Sequence, residues 1–513
     1  MGYDQFFQDK PKSYWIDSVE QMTFQRLDEK LKVDVGIVGA GITGITTAYL
    51  LAKQGLDVCL IDANKLMGGT TAHTTAKVTP QHGLIYDEII QHYGLEFAQS
   101  YYAANDEAAR FVEETIKNHD IECDYETHFS YVYTNDETYV KKLEQEYEAY
   151  ERIGIEGRLL DSCNVPIPVQ SVLQMKSGAM FHPLRYLQVL LNECIERGVK
   201  IYDQTRAINV EYAKHPTIIT ENGHRIICSY VVQASNYPFY DGTGFYPTKM
   251  YADRSYAIAV KTDKLIDEGI YLSAESPKRS LRTVKVNGER ALLVVGENHK
   301  VGQSEEQTTT HYESLYRFAD THFNVQQTLY HWSAQDLTTL DKLPYVGRVA
   351  KGNDNVFVAT GFRKWGMTNG TNAALLIRDL IMDNDNPLAQ LFSPARELKF
   401  DPAIKKLFTF NTDVAKHLIK GKLSRPPKEM EPLAKGEAKV ITYNNERAGA
   451  YKNEHGEIYI VDTTCTHLGC ELNWNEAEKT WDCPCHGSRF SYKGEVIHGP
   501  AVQNLQTFTD EKE

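Results

Sequence analysis

At 513 residues the chain is too long for one ordinary hydrophobic core and points to two to four domains. A formal charge of −14, from 55 Lys+Arg against 69 Asp+Glu, argues against a nucleic-acid backbone or an anionic membrane as the main partner. No apolar run approaches a membrane span, and the start Met1-Gly2-Tyr3-Asp4-Gln5 lacks a basic and apolar leader, so the expectation is a cytoplasmic protein without a membrane span. Cys59, Cys123, Cys163, Cys194 and Cys228 are scattered as reduced core cysteines would be, whereas four more crowd between 465 and 485.

Residues 1–31 are polar with aromatic punctuation (Tyr14, Trp15, Phe24) and carry no readable chemistry. Val33-Asp34-Val35-Gly36-Ile37-Val38 reads as a buried strand entering Gly39-Ala40-Gly41-Ile42-Thr43-Gly44. A helix follows, with Ile42, Ile45, Tyr49 and Ala52 at helical spacing up to Gly55. Asp57-Val58-Cys59-Leu60-Ile61-Asp62 is a second strand ending on a carboxylate. In this context Gly39 allows the tight turn, Gly41 the approach of a pyrophosphate, and Gly44 close helix–strand packing, while Asp62 accepts ribose hydroxyls. The amides of Ile42 and Thr43, at the helix start, present positive potential to the phosphates. This fits NAD and FAD equally well.

The next stretch, Gly68-Gly69-Thr70-Thr71-Ala72-His73-Thr74-Thr75-Ala76, separates them. It resembles the small-residue loop lying along FAD in D-amino-acid-oxidase-like amine oxidoreductases, although a Thr-rich loop without a ligand is the plain alternative. The resemblance implies FAD contacts for Thr70, Thr71, His73 and Thr74. It also aligns His73 with a histidine that dimethylglycine- and sarcosine-dehydrogenase-like relatives bond covalently to the flavin. Ala72 and Ala76 depart from that pattern and favour a non-covalent histidine.

Residues 84–118 and 137–153 have helical periodicity and read as an insertion over the sheet. Phe181-His182-Pro183 opens a helix to about Arg197, followed by short strands at Lys200–Tyr202 and Val231-Val232-Gln233-Ala234-Ser235. The resemblance returns the latter strand to the FAD domain, with Ala234 beside the adenosine. Tyr256–Val260 and Ala291–Gly296 suggest an antiparallel substrate domain, interleaved with the first. Val356–Phe362, with Gly361, then Trp365-Gly366-Met367-Thr368 and a helix to about Met382 form the family's second FAD signature. Its physical sense is a helix start whose amides, at Met367 or Thr368, face the flavin edge that gains negative charge on reduction. Arg254, Arg363 and Lys364 read first as surface or inter-strand charges, with a clamp for a substrate carboxylate as the alternative, and no catalytic residue is assigned.

From 396 the chain turns Lys- and Pro-rich, a helix followed by an extended linker through Ser424-Arg425-Pro426-Pro427-Lys428 to 435. Then come Cys465-Thr466-His467-Leu468-Gly469-Cys470 and Cys483-Pro484-Cys485-His486-Gly487-Ser488. Each arm offers one thiolate and one imidazole: Cys465 with His467, and Cys483 with His486. Two histidines replace two cysteines on one iron in a [2Fe-2S] cluster of this kind. A Cys2His2 zinc site takes the same ligand types, but its paired ligands are usually two to four residues apart and leave no spare cysteine in each arm.

Segment 436–513 resembles a Rieske domain, of the disulfide-bearing subclass found in respiratory cytochrome complexes. That resemblance implies a Cys470–Cys485 disulfide, a Ser488 hydroxyl donating to a bridging sulfide, and a Gly499-Pro500 turn covering the cluster. Phe490 stands where the family has a tyrosine, and losing that donor lowers the potential within a range of about −150 to +300 mV.

The whole chain is similar to bacterial Rieske iron-sulfur proteins with an N-terminal FAD-dependent domain. The expected fold is an α/β FAD-binding Rossmann-like domain with an interleaved α+β substrate domain over 1–395, helix and linker over 396–435, and an all-β Rieske domain over 436–513. The expected activity is oxidation of a small amine or amino-acid-like substrate, with electrons leaving singly through the cluster to an unidentified external acceptor. A non-catalytic electron carrier or redox sensor is the competing class. Purified protein should contain iron and acid-labile sulfide, and its reduced form should give the low average g value of mixed His/Cys ligation; zinc in their place refutes the ligand assignment.

Overall fold

The computed structural model describes residues 3–7, 9–266, 269–304, 306–397, 401–423 and 432–508. At its centre the β-branched strand Leu31–Val38 runs parallel to Arg225–Gln233 on one side and Val58–Ile61 on the other. Val35 and Ile37 are completely buried, as a strand covered on both faces requires. Lys200–Tyr202 extends this eight-stranded sheet beyond Val58–Ile61, and Val356–Thr360 joins it alongside Arg225–Gln233. The two nucleotide-binding signatures, more than three hundred residues apart in sequence, thus share one sheet.

The strand turns at Gly39, where φ is +103° and a Cβ would sit 2.5 Å from the Ala234 carbonyl oxygen. Only glycine satisfies both conditions. Helix Ile42–Lys53 follows and is buried all round from Ile42 to Ala52, not along one stripe. Helices Pro183–Glu196 and Gly366–Ile381 pack against it, so its outer face never meets water. Gly370 permits the second approach: a Cβ there would lie 2.7 Å from Thr43 Oγ1.

A second eight-stranded sheet contains the long strands Met250–Thr262, Glu289–Lys300 and Val325–Thr339, with Met250–Thr262 in the middle and antiparallel to both neighbours. The substrate-domain strands expected at 256–260 and 291–296 are the cores of two of these. The helical insertion comprises Tyr86–Tyr93, Leu95–Asn118 and Glu137–Ile153. Helix Asp401–Leu423 precedes two small antiparallel sheets, one of Ala438–Tyr443, Glu446–Lys452 and Ile458–Asp462, the other of Asn473–Asn475, Thr480–Asp482, Arg489–Ser491 and Val496–His498. The expected linker Ser424–Lys428 lies outside the described residues. No described helix is long and apolar enough to cross a membrane.

The N-terminal segment has a task that its sequence did not disclose. Three consecutive carbonyls of the Thr-rich loop are held by side chains from outside it: Ala72 accepts from Ser13 Oγ, His73 from Trp332 Nε1 at 3.0 Å, and Thr74 from Trp15 Nε1 at 2.8 Å. Trp15 is almost fully buried. Trp15→Ala is expected to cost about 3–5 kcal/mol of stability, the scale for truncating a buried aromatic. A fall in the melting temperature, accompanied by weaker flavin retention, is the measurement that checks it.

Candidate functional site

The Rossmann turn, the Thr-rich loop, the inner face of the second sheet and the start of helix Gly366–Ile381 enclose one cavity of about 1270 Å³. Gly39, Gly41, Ile42, Thr43, Asp62, Thr70, Thr71, His73, Thr74, Ala234, Arg363, Lys364, Gly366 and Met367 all line it. Gly44 and Gly361 do not: a Cβ on Gly44 would fall 1.8 Å from the Gly39 carbonyl oxygen, and one on Gly361 2.5 Å from Thr339 Cγ2. These two glycines permit close packing behind the cavity. Thr368, expected at the flavin edge, is also turned away, its Oγ1 3.0 Å from His82 Nε2. Gly366 and Met367 are the residues of that first turn facing the space.

The lining fits a dinucleotide. A Cβ at Gly41 would lie 2.9 Å from Thr71 Oγ1, and that same oxygen accepts the Ile42 N–H at 3.1 Å, so glycine turn and Thr-rich loop are joined. Asp62 lines the cavity and accepts from the Ala40 and Asn64 amides at 2.8 and 2.9 Å; burial raises its carboxyl pKa and the two amides oppose this. His73 Nδ1 donates to the Gly69 carbonyl at 2.9 Å, leaving Nε2 as an acceptor, and burial keeps the imidazole neutral by lowering its pKa.

Arg254 is not a substrate clamp. Tyr251, Asp253, Ser255 and Ala257 line the cavity, so strand alternation sends Arg254 to the opposite face. There it is fully buried, 2.6 Å from Ser333 Oγ and 3.7 Å from the carboxylate of Asp482 in the C-terminal domain. Arg363 donates to the His82 carbonyl at 3.1 Å, and Lys364 contacts Ser255 Oγ at 2.8 Å and Asp336 at 3.6 Å. The sequence reading passed over Lys77, His82 and Lys278, isolated residues without a motif, which also face the cavity.

Two loops of the C-terminal domain carry the Cys/His pairs. Cys465 N–H bonds to the Cys470 carbonyl and Cys483 N–H to the Ser488 carbonyl, both at 2.8 Å, closing each loop on itself. Gly469 and Gly487 take the left-handed conformation these turns need, at φ +73° and +81°. The thiols of Cys465 and Cys483 are within hydrogen-bonding reach of each other. The rings of His467 and His486 are 5.1 Å apart and nearly perpendicular. Both Nδ1 atoms are buried without a hydrogen-bond partner among the described residues. Two orphaned imidazole nitrogens beside two thiols fit a diiron cluster. Burial lowers both imidazole pKa values, that of His486 to about 4, so each ring is neutral as a ligand must be.

Cys470 and Cys485 form a disulfide with a Cα–Cα distance of 6.5 Å. The Cys483 sulfur lies within 4.8 Å of theirs, but bonded sulfurs offer no thiolate, which leaves Cys465 and Cys483 as the metal-competent pair. Ser488 Oγ accepts the Ala501 amide at 3.0 Å, drawing the Gly499-Pro500 turn over the loops. Phe490 is fully buried and offers no hydroxyl.

The cavity and the Cys/His loops touch. Gln335 Nε2 donates to the Gly487 carbonyl at 2.8 Å, while the Gln335 carbonyl accepts from Thr70 Oγ1 at 3.2 Å. Gln303 Nε2 donates to the Pro484 carbonyl at 2.8 Å. Residues 495–502 of the C-terminal domain form part of the cavity wall, with Arg206 bonded to the Val496 carbonyl at 2.9 Å. Below this contact Asp482 lies between Arg254 and Arg489; burial would raise its carboxyl, but the two guanidiniums overcome it and hold the pKa below the ordinary value.

Such a molecule is a flavoprotein oxidoreductase with an iron-sulfur domain built against its cofactor cavity. Residues 34–380 match the FAD dependent oxidoreductase (DAO) family and residues 425–509 the Rieske [2Fe-2S] domain, and the chain belongs to this FAD-dependent oxidoreductase family with a C-terminal Rieske domain. It is 45% identical over 506 residues, 99% of each chain, to the Bacillus subtilis protein YhfW, described as a Rieske 2Fe-2S iron-sulfur protein. It is 27% identical over 231 residues to the gamma-glutamylputrescine oxidoreductase of Escherichia coli, spanning 44% of this chain and 54% of that one. Among solved structures it resembles the glycine oxidase of Geobacillus kaustophilus, with a TM-score of 0.60 at 16% identity over 72% of this chain and 100% of that one. FAD and a [2Fe-2S] cluster are the cofactors of the two families.

Two outcomes are expected. His73→Ala should weaken or release FAD while the Rieske spectrum persists, and acid denaturation of the wild type should release all the yellow colour; retained colour would mean a covalent bond. Arg254→Met leaves Asp482 with one guanidinium and should destabilise the protein by about 3–5 kcal/mol. Because the Asp482 pKa is depressed, its stabilising contribution is present above the unfolded-state value and is lost as pH falls through the folded value. The wild type should therefore lose stability on acidification below the ordinary carboxylate range, and the Arg254→Met variant should lose less, as unfolding curves against pH would show.

Proposed function

We propose that the chain oxidises a small amine or amino-acid-like donor at a CH–NH or CH–NH2 group and passes the electrons singly to its own cluster, then to an external acceptor. The bound FAD supplies a two-electron acceptor and the cluster a one-electron carrier. In this reading the Thr43 amide and the Thr71 hydroxyl, whose oxygen accepts from the Ile42 amide, hold the phosphates, with Thr70 lining the same wall, and Asp62 holds the ribose. Gly366 and Met367 turn their amides to the edge that becomes negative, at a helix start where that charge is favoured. Cys465, His467, Cys483 and His486 hold the irons, and the remaining lining from Lys77, Trp365, Arg363 and Lys364 receives the donor. The amine class rests on the gamma-glutamylputrescine oxidoreductase and glycine oxidase likenesses.

The observation that carries electron transfer within one chain is the bond between Gln335, a cavity-lining residue, and the carbonyl of Gly487, next to His486. A through-bond route of this kind needs no excursion of the cluster domain. Anaerobic mixing with a panel of amines and amino acids should bleach the flavin absorbance, and the reduced Rieske signal should then appear in the same molecule independently of protein concentration. Flavin that no member of the panel reduces would favour an electron carrier or redox sensor over an enzyme. A Rieske signal whose rate rises with protein concentration would place the transfer between molecules.

A further inference from the structure

Three cationic side chains open into the cavity with no carboxylate in ion-pair reach among the described residues. Lys77 is buried, donates to Ser280 Oγ at 2.7 Å and lies 5.2 Å from the centre of the Trp365 ring. Lys278, at the head of strand Arg279–Val286 two residues before Ser280, opens into the same space. Arg363 engages the His82 carbonyl with one terminal nitrogen, while the other is buried without a partner.

The remaining charges on this side of the cavity are answered. Lys364 is shared between Asp336 and Ser255, and Lys342 pairs with Glu88. Glu297 pairs with Arg279. Asp253 sits directly across the strand pair from Asp336, close enough to Lys364 to be stabilised by it.

Lys77 is buried, Arg363 half-buried and Lys278 exposed to solvent; a buried cation without a counter-ion is costly, and the three repel one another. Burial, then Arg282, Lys364 and Lys278, lower the Lys77 pKa to about 7. The FAD phosphates are assigned elsewhere. In the proposed reading those belong to the Gly39–Thr43 turn on the parallel sheet, whereas Lys278 and Ser280 stand on the antiparallel one. One α-carboxylate satisfies one guanidinium bidentately, which leaves the two lysines facing further anionic oxygens.

We infer that the donor carries a second acidic group, so that it is a dianionic amine or amino acid, with Lys77 and Lys278 as the residues that select it. The inference rests on the proposed function in placing the donor in this cavity. It turns away from polyamines, whose charge would add to that of the lysines.

The test uses the full-length protein loaded with FAD and cluster, and reads binding from the perturbation of the flavin spectrum at equilibrium, without turnover. Glutarate, butyrate and putrescine serve as dianionic, monoanionic and dicationic probes. Glutarate should bind at least about tenfold more tightly than butyrate, the scale of one further charge-assisted contact, and putrescine should leave the spectrum unchanged. Lys77→Met and Lys278→Met should each weaken glutarate about tenfold and change butyrate by less than about threefold, whereas Lys278→Arg should keep the preference. Should one methionine variant lose its flavin, the other carries the measurement. Equal affinity for glutarate and butyrate, or methionine variants that retain the preference, overturns the inference. Flavin bleached by neutral amino acids at rates the lysine substitutions do not alter overturns it too, while leaving the amine reading intact. Selective glutarate binding in a protein whose flavin no amine reduces supports the anion site and defeats the proposed function instead.

Discussion

The strand pair Met250–Thr262 and Val325–Thr339 carries both redox sites, one on each face. Along Met250–Thr262, Asp253 and Ser255 look into the cavity while Ala252 and Arg254 look toward the Rieske domain. Register places Asp253 opposite Asp336 and Arg254 opposite Gln335, so the alternation of one strand matches that of the other. Since side chains on a strand alternate with a period of two, a slip of one residue would send Arg254 into the cavity and Asp253 against the Rieske loops. The long pairing holds the two sites at a set distance. A Cβ on Gly487 would fall 2.4 Å from Ala252 Cβ, which shows how closely the second ligand loop rests on this ribbon.

The Rieske domain is more than an appended carrier, because it supplies cavity wall from residues 495–502. A ligand that fills the cavity therefore favours the docked arrangement, and docking favours the ligand by the same amount. The buried Arg254–Asp482–Arg489 group bears on specificity of docking. Three buried charges lose hydration and recover it in mutual attraction only in one alignment, so the group contributes more to register than to net stability. Asn475 and Thr480 complete the hydrogen bonds of the carboxylate at 2.9 and 2.8 Å.

The Thr-rich loop is held from behind. Its carbonyls at Ala72, His73 and Thr74 are occupied by Ser13, Trp332 and Trp15, from two segments far apart in sequence, while Thr70, Thr71, His73 and Thr74 line the cavity. Thr71 uses its hydroxyl to meet the Ile42 amide and Thr70 to meet the Gln335 carbonyl. The loop thus connects the Rossmann turn to the strand that carries the Rieske contact, and preorganisation of this kind lowers the cost of ordering a cofactor on binding.

By itself the sequence determined the local devices. The glycine turn with its terminal acid, the helix start at Gly366-Met367 and the paired Cys/His arms are short-range patterns, because backbone conformation and ligand spacing are set within a few residues. It also determined the reduced state of the scattered cysteines: Cys59, Cys123, Cys194 and Cys228 are buried and free, and Cys163 half-buried and free. The tertiary structure alone decided which face each strand residue presents. Arg254 stands open in the sequence between an inter-strand charge and a substrate clamp because its charge is visible and its direction is not, and Met367 and Thr368 are equal candidates for the flavin edge because a helix start fixes the amides of its first turn without saying which of them meets the cavity. Lys77, Lys278 and Gln335 have no motif at all. Their positions at the cavity arise from strands brought together across more than two hundred residues, and the pairing of long-range strands is a property of the packed whole that no local window contains.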